Sequence, residues 1–398
     1  MPGAVIDGRP GELRAAVRDD DGTLRDLFLA RAEVPNPVGD RFLGRVTAWH
    51  PGLGVAFVEL GLARPGILPL KRGQPRPREG ETVRVAVIRA PSADKGAKLA
   101  RVSDSDAAAS PGGQAAPARL STAPRLGTFL RRHTLDSVTL AGAEAEAALR
   151  AEAPELHADA VRRPESADAF AEAGLDAALD ALLAPAVDLP GGGRLWVEPV
   201  RTLTAIDLDS GADGGAEGGA EGGAGRSAAG ANHAAVPEIA RQIRLRGLSG
   251  LIVVDFLDPG TRAERSAVAA ALRTALDADP EISEVSAMRP SGLVEIARQR
   301  LRPALHELLA TPCGHAGSGW AKTPATVARE ALRAVEAAAN ASPAARWRLS
   351  AAPSVLAALG GPVAPARAAL ERRLGGALIL EEAQAATAPE SYDVTPAG

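Results

Sequence analysis

Cysteine is almost absent: Cys313 stands alone in 398 residues, which excludes a disulfide framework and any Cys₄ or Cys₂His₂ metal site. Lysine occurs only as Lys71, Lys95, Lys98 and Lys322, and nearly all basic charge is arginine. With alanine, glycine and proline abundant, that bias reflects a GC-rich genome as readily as guanidinium chemistry. Aromatics make up only 3%, so each one at a surface-like position carries more information than usual. There is no excess of positive charge: 45 Lys and Arg against 49 Asp and Glu leave −4, so any polyanion site must be a local patch. Long apolar runs are missing too. Strings such as Leu251–Val254 fall far short of the roughly 20 residues a membrane helix needs. The N-terminal segment has no charged stretch followed by an apolar one, the mark of a signal peptide. The expectation is a soluble, cytoplasmic protein with no membrane partner.

A chain of this length holds two or three domains and a sizeable core, and 46% hydrophobic with 24% charged residues is ordinary for a globular protein. Residues 1–36 read as two short strands with a turn at Asp20–Gly22. Arg41–His50, Gly54–Leu60, Gly66–Leu70, Thr82–Ala90 and Ala97–Ser103 are short strands separated by turn signals, the pattern of a small OB-type β-barrel. Asp104–Pro124 reads as a linker, and Leu126–Asp188 as mostly helical, with Leu175, Leu179 and Leu182 at helical spacing. Residues 190–310 look like α/β units. Strands Arg194–Val200 and Thr202–Leu208 lead to a glycine-rich loop with an AEGG repeat that lacks Gly-Lys-Ser/Thr, so it is no phosphate-binding P-loop. Pro237 then starts a helix through Arg246, Leu251–Phe256 is a buried strand, and helices are expected around Arg262–Ala278 and Gly292–Leu309. From Lys322 onward come a helix to Asn340, a strand near Trp347–Ser350, a helix near Pro365–Leu374 and a strand Ala377–Leu380.

The most chemical feature is TLTAIDLDSG. Alternation along a strand projects Asp207 and Asp209 to one side and Ile206 and Leu208 to the other. Their Cα atoms are then roughly 7 Å apart, so both carboxylates can approach one hydrated Mg²⁺. In LIVVDFLDPG, Leu251, Val253 and Asp255 share a face, and an acid closes an otherwise apolar strand. If the two strands are parallel neighbours joined through the following helix, their carboxyl ends meet, where sites form in open α/β sheets. The structural alternatives are turn-capping roles, for Asp209 before Ser210-Gly211 and for Asp258 before Pro-Gly, or a salt bridge to an arginine such as Arg246. In GVAFVEL, Phe57 alternates with a charge and stands on the solvent face, where an aromatic can stack on a base, or packs a second small core there. Lys95 precedes a strand and reaches either a phosphate or only solvent.

These motifs, in this order, resemble the ribonuclease E/G family of bacterial endoribonucleases. GRVTAWHPGLGVAFVELGLARPGILPL and DKGAKL are similar to its S1 RNA-binding module. LPGGGRLWVEPVRTLTAIDLDSG, ANHAAVPEIARQIRLRGLSGLIVVDFLD, SGLVEIARQRLRPAL, KTPAT and a SYDV tail follow in family order. The resemblance implies an α/β, α+β multidomain fold with an S1/OB-type barrel inserted in an RNase H-like subdomain. In the implied division, 1–36 is the opening segment of the RNase H-like subdomain and 37–103 the S1 barrel. A linker at 104–125 replaces the family's 5′-sensor, and 126–188 is the closing segment of the RNase H-like subdomain. A DNase I-like catalytic subdomain at 189–311, a degenerate zinc-link region at 312–320 and a small dimerisation domain at 321–398 complete it. It implies that Asp207 and Asp255 bind a catalytic Mg²⁺, that Asp209 replaces the usual Asn, and that Asn232, Arg246, Phe57 and Lys95 serve RNA binding.

The implied activity is Mg²⁺-dependent cleavage of single-stranded RNA, in RNA processing or decay, leaving 5′-phosphate and 3′-hydroxyl ends, by a homodimer formed through 321–398. Three departures stand out. The second S1 aromatic is Ile67, only Cys313 and His315 remain of the zinc link so zinc is not expected, and 104–125 is too short for a 5′-sensor. They leave open a non-catalytic RNA-binding scaffold descended from such an enzyme, and a generic α/β phosphohydrolase.

Overall fold

The computed structural model describes residues 2–70, 73–91, 95–102, 115–164, 168–190, 192–211, 227–258, 260–277, 279, 281–312, 320–383 and 391–397. The AEGG loop, Cys313 and His315, and most of the stretch read as a linker lie outside the described residues. The chain forms two compact units, one of residues 36–124 with 298–303 and one of the remainder.

The larger unit opens with β1 (Gly3–Arg9), β2 (Glu12–Arg18) and β3 (Leu24–Arg31), three antiparallel strands rather than the expected two. The turn missed in the sequence lies at Pro10-Gly11, where Gly11 takes φ 77°, a left-handed value that only glycine adopts without strain.

The second unit is the barrel. β4 (Arg41–His50), β5 (Val55–Glu59), β6 (Gly66–Pro69), β7 (Thr82–Arg89) and β8 (Lys98–Arg101) close in the order β4-β5-β6-β8-β7 and back to β4. Every second residue points inward, so Phe42, Val46, Ala56, Val58, Leu68, Val85 and Leu99 fill the interior. The stretch read as a linker contributes β9 (Ala118–Ser121), which pairs with the first half of β4. Its polar composition concealed a strand because only backbone pairing along that edge is needed there.

The chain then returns to the larger unit. α1 (Arg125–Leu130), β10 (Ser137–Ala141), α2 (Ala143–Glu152), α3 (Pro154–Ala158), β11 (Val161–Arg162), α4 (Ala169–Glu172) and α5 (Leu175–Ala181) follow. β10 and β11 add to the first sheet in the order β11-β10-β1-β2-β3, so a segment read as mostly helical also supplies strands. Both faces of this sheet are covered. Ile6, Ala15 and Val17 pack on Leu126, Phe129 and Leu149, while Val5, Ala16 and Leu27 pack on Phe170, Leu175, Leu179 and Leu182.

Next come β12 (Ala186–Asp188), β13 (Arg194–Pro199), β14 (Thr204–Asp209), α6 (Ala228–Leu245), β15 (Gly250–Asp255), α7 (Arg262–Asp277), β16 (Ser283–Val285) and β17 (Leu293–Arg298). Their sheet runs β12-β13-β14-β15-β17-β16. Two expectations fail here. α6 begins at Ala228 under a Ser227 cap, and Pro237 lies inside it. The bond Pro237 removes is tolerated because Pro237 and His233 both face solvent, where water can reach the unpaired carbonyl. The second failure is the helix expected over Gly292–Leu309. Val294, Ile296 and Arg298 are buried with period two, and the Ala-, Glu- and Arg-rich composition masked that alternation.

The chain ends with α8 (Leu305–Leu309), the hairpin β18 (Ala310–Pro312) and β19 (Trp320–Lys322), α9 (Pro324–Ala341), β20 (Arg346–Ala351), α10 (Pro353–Gly360), α11 (Ala364–Leu374), β21 (Ile379–Glu382) and β22 (Tyr392–Ala397). The last three strands form a sheet in the order β21-β20-β22 over a core of Val327, Val335, Leu349, Val355 and Leu359. α10 and β22 were not legible as separate elements. A buried ionic network ties α9 to the first sheet: Glu12 accepts from Arg31 at 2.7 Å and from Arg333, and Arg329 reaches Glu33 at 2.8 Å. Among the described residues no helix is long and apolar enough to cross a membrane.

Candidate functional site

The β14–α6–β15 crossover makes β14 and β15 parallel neighbours. One face of their sheet is the core: Ile206, Leu208, Ile252 and Val254 pack under Val236, Ile239 and Ile243 of α6 and Val268 and Leu272 of α7. Strand alternation therefore sends Ala205, Asp207 and Asp209 of β14, and Leu251, Val253 and Asp255 of β15, to the other face.

The register then decides the site. Asp207 lies directly opposite Asp255. Neighbouring strands are about 4.8 Å apart, so the two carboxylates rise side by side from one row. Both residues are exposed, and among the described residues neither makes a hydrogen bond or ion pair. Burial, and after it the charge of Asp207, raises the Asp255 pKa above its ordinary 3.8. Two like charges in one row, with no ion-pair partner among the described residues, are a donor set suited to a divalent ion. No group of three His, Cys, Asp or Glu side chains gathers among the described residues, so most of the ion's ligands would be water. Mg²⁺, which keeps several waters and takes one or two carboxylates, fits that arrangement.

The row continues on both sides. Beyond Asp255 comes Gly292, where an added Cβ would fall 2.4 Å from the Phe256 carbonyl oxygen and 3.6 Å from Asp255 Oδ1. Its φ of +89° and missing side chain keep that flank of Asp255 open. On the other side, Trp196 of β13 stands opposite Asp207, with 37% of its surface exposed. Neither was singled out in the sequence. The signal for Trp196 was its alternation with Leu195 and Val197, both buried.

The remaining candidates divide clearly. Asp209 lies one pleat further on the same face, and its Oδ1 accepts the Gly211 N–H at 2.8 Å, the turn-starting role. Asp258 likewise accepts from Gly260 at 2.9 Å. Asn232 is fully buried. Its amide donates to the Leu257 carbonyl at 2.7 Å and its Oδ1 accepts the Leu257 N–H at 3.1 Å, which fixes the backbone two residues beyond Asp255. Arg246 is at the far end of α6, 14 residues and about 21 Å along the helix from Asn232. It is buried, donates from Nε to Gln242 Oε1 at 2.7 Å, and burial lowers its pKa to about 10. The fold thus gathers Asp207, Asp209, Asp255 and Asn232 at one sheet end and leaves Arg246 at the other.

In the barrel, described by itself, Phe57 is half-buried on the outer face while Ala56 and Val58 point inward. Lys95 is exposed just before β8. The register adds two residues the sequence did not suggest: Phe57 pairs with Ile67, Ile67 with Lys98, and Lys98 with Arg89. An aromatic, an aliphatic and two cations form one outer row.

Residues 132–301 match the model of the Ribonuclease E/G family. Ribonuclease E of Nostoc sp. is 36% identical over 143 residues, 36% of this chain and 20% of that protein. Ribonuclease G of Salmonella typhimurium is 32% identical over 190 residues, 48% of this chain and 38% of that protein. A chloroplastic ribonuclease E/G-like protein of Arabidopsis thaliana is 32% identical over 135 residues, 34% of this chain and 13% of that protein. The chain thus spans well under half the length of these relatives. The stretch from 132 to 301, which carries both aspartates and the helix between them, is similar to the Ribonuclease E/G family.

Proposed function

We propose that the protein is a Mg²⁺-dependent endoribonuclease acting on single-stranded RNA. The observation that carries this reading is the direct register of Asp207 with Asp255 on the exposed face of their sheet. Asp207 and Asp255 would hold the ion, directly or through water. Bound there, Mg²⁺ supplies electrophilic stabilisation of the phosphoryl oxygens and acidifies water. The chain's own residues do the rest. Asn232 keeps the end of β15 in place through Leu257, so Asp255 meets Asp207 with no reorganisation when substrate arrives. Asp209, with one oxygen on Gly211, has a second oxygen to orient an attacking water. Attack in line with the leaving 3′-oxygen leaves a 5′-phosphate and a 3′-hydroxyl.

The barrel, read as an S1/OB-type module, would hold the strand: Phe57 stacks on a base, and Lys95, Lys98 and Arg89 meet phosphates. Ile67 offers no ring, so the basic end of the outer row carries more of the affinity. Arg246, buried inside the fold, supports the α6 terminus. Residues 1–36 and 126–188 would be the RNase H-like subdomain, residues 189–311 the DNase I-like one, and residues 321–398 a dimerisation domain.

The test is cleavage of a short labelled A/U-rich RNA with and without EDTA. Asp207→Ala and Asp255→Ala should each reduce metal-dependent cleavage on the order of a hundredfold or more. Cleavage indifferent to EDTA or to both substitutions refutes the proposal. RNA retention with Mg²⁺ binding but no turnover in the unaltered protein favours the scaffold reading.

A further inference from the structure

Among the described residues a large aromatic, Trp196, stands on the exposed face beside the carboxylate pair, and no step above uses it. We infer that Trp196 is a stacking platform for the nucleobase next to the scissile phosphate, so that the site grips its RNA at a base as well as through the ion. This rests on the proposed nuclease reading and adds a subsite to it.

Three observations converge. First, Trp196, Asp207 and Asp255 occupy one row across three adjacent strands. Residues directly opposite in an antiparallel pair have Cβ atoms about 4.5–5.5 Å apart and face the same side, so a phosphate at the carboxylates places an attached nucleoside within reach of the indole. Second, Trp196 belongs to no core cluster. Its neighbours Leu195 and Val197 are buried at 0% and 1%, while 37% of Trp196 meets solvent. A large aromatic surface with a polar N–H thus stands at an outward position of β13, open to a ligand. Third, the ring is braced. Arg194, two residues earlier on the same face, is held by Asp188 through Nε at 2.8 Å and Nη2 at 2.7 Å, and its guanidinium lies over the Trp196 ring, 5.9 Å from the centroid. A cation there steadies the ring from one face and offsets some of the repulsion that the aspartates exert on an incoming phosphodiester. A base is the occupant that suits this combination: planar, joined to an anion, and tolerant of sequence because every base has a π-face.

The experiment is a cycle between the protein and its RNA. An abasic nucleotide is walked through the short single-stranded RNA, and affinity is measured for the full-length protein and for Trp196→Ala and Trp196→Phe. Trp196→Ala should weaken binding by about fivefold to a hundredfold, with Trp196→Phe keeping most of the affinity. At one position flanking the cleaved bond, the abasic nucleotide should weaken the unaltered protein by a similar factor and barely affect Trp196→Ala. Unchanged binding by Trp196→Ala, or losses that add independently at every position, overturns the inference.

Indole-sensitised terbium emission separates the two readings. Emission that Mg²⁺ displaces and that Asp207→Asn or Asp255→Asn abolishes upholds the ion site whatever the abasic walk returns. Thermal unfolding unchanged in Trp196→Ala excludes a merely structural effect.

Discussion

Burial, and behind it the charge of Asp207, holds the Asp255 carboxyl above the ordinary aspartate value of 3.8. The fold therefore favours the protonated acid. The stability this contributes is fully present below the unfolded-state pKa and is lost as pH rises through the raised folded value. Because an ion needs both carboxylates charged, metal affinity should climb across that same interval. Asp207→Asn removes the neighbouring charge, and the Asp255 titration should move down, some of the way back to 3.8, as followed by its carboxyl carbon in NMR. An Asp255 titration indifferent to Asp207→Asn would show that the two acids do not share a site. Asp209 and Asp258 present the contrast: in each, a backbone N–H two residues on already meets one carboxylate oxygen.

The helix α6 does two jobs along one length. Its middle buries Val236, Ile239 and Ile243 against β14 and β15, and its first turns bring Asn232 to Leu257. That amide pair joins the helix to the strand end carrying Asp255. Asn232→Ala strands the N–H and the carbonyl of half-buried Leu257, and should destabilise the protein by about 1–3 kcal/mol in denaturant unfolding. Metal affinity should fall with it, because the end of β15 loses its anchor. If Asn232 instead touched RNA, the substitution would weaken RNA binding and leave stability alone. The two acidic strands, the barrel strands and the leucines of α5 were legible in the sequence because their periodicity is uninterrupted. β17 and the start of α6 were not. In the first, helix-favouring residues overlie a two-residue burial period, and in the second a proline sits where solvent excuses its missing bond.

A net charge of −4 works against binding any polyanion, so affinity for RNA must come from where the few cations stand. The barrel row gathers Lys98 and Arg89 beside Phe57 and Ile67. If Lys98 meets a phosphate, Lys98→Ala should reduce the slope of log affinity against log salt by about 0.7, read from RNA titrations at several salt concentrations. An unchanged slope would remove Lys98 from the interface. Phe57→Ala, which removes a ring and no charge, should weaken binding while leaving the slope as it was.

Alternation alone placed Asp207 and Asp209 on one face of their strand and Asp255 on a face with Leu251 and Val253, because a strand's side-chain period is local and needs no partner. Which acids stand together was decided by the tertiary structure. Parallel pairing of β14 with β15 sets Asp207 against Asp255, and antiparallel pairing with β13 brings Trp196 into the same row. The packing of α6 on that sheet turns Asn232 inward to Leu257. Register is a relation between strands far apart in the chain, fixed by how their buried faces fit beneath the helices, and no single segment contains that information.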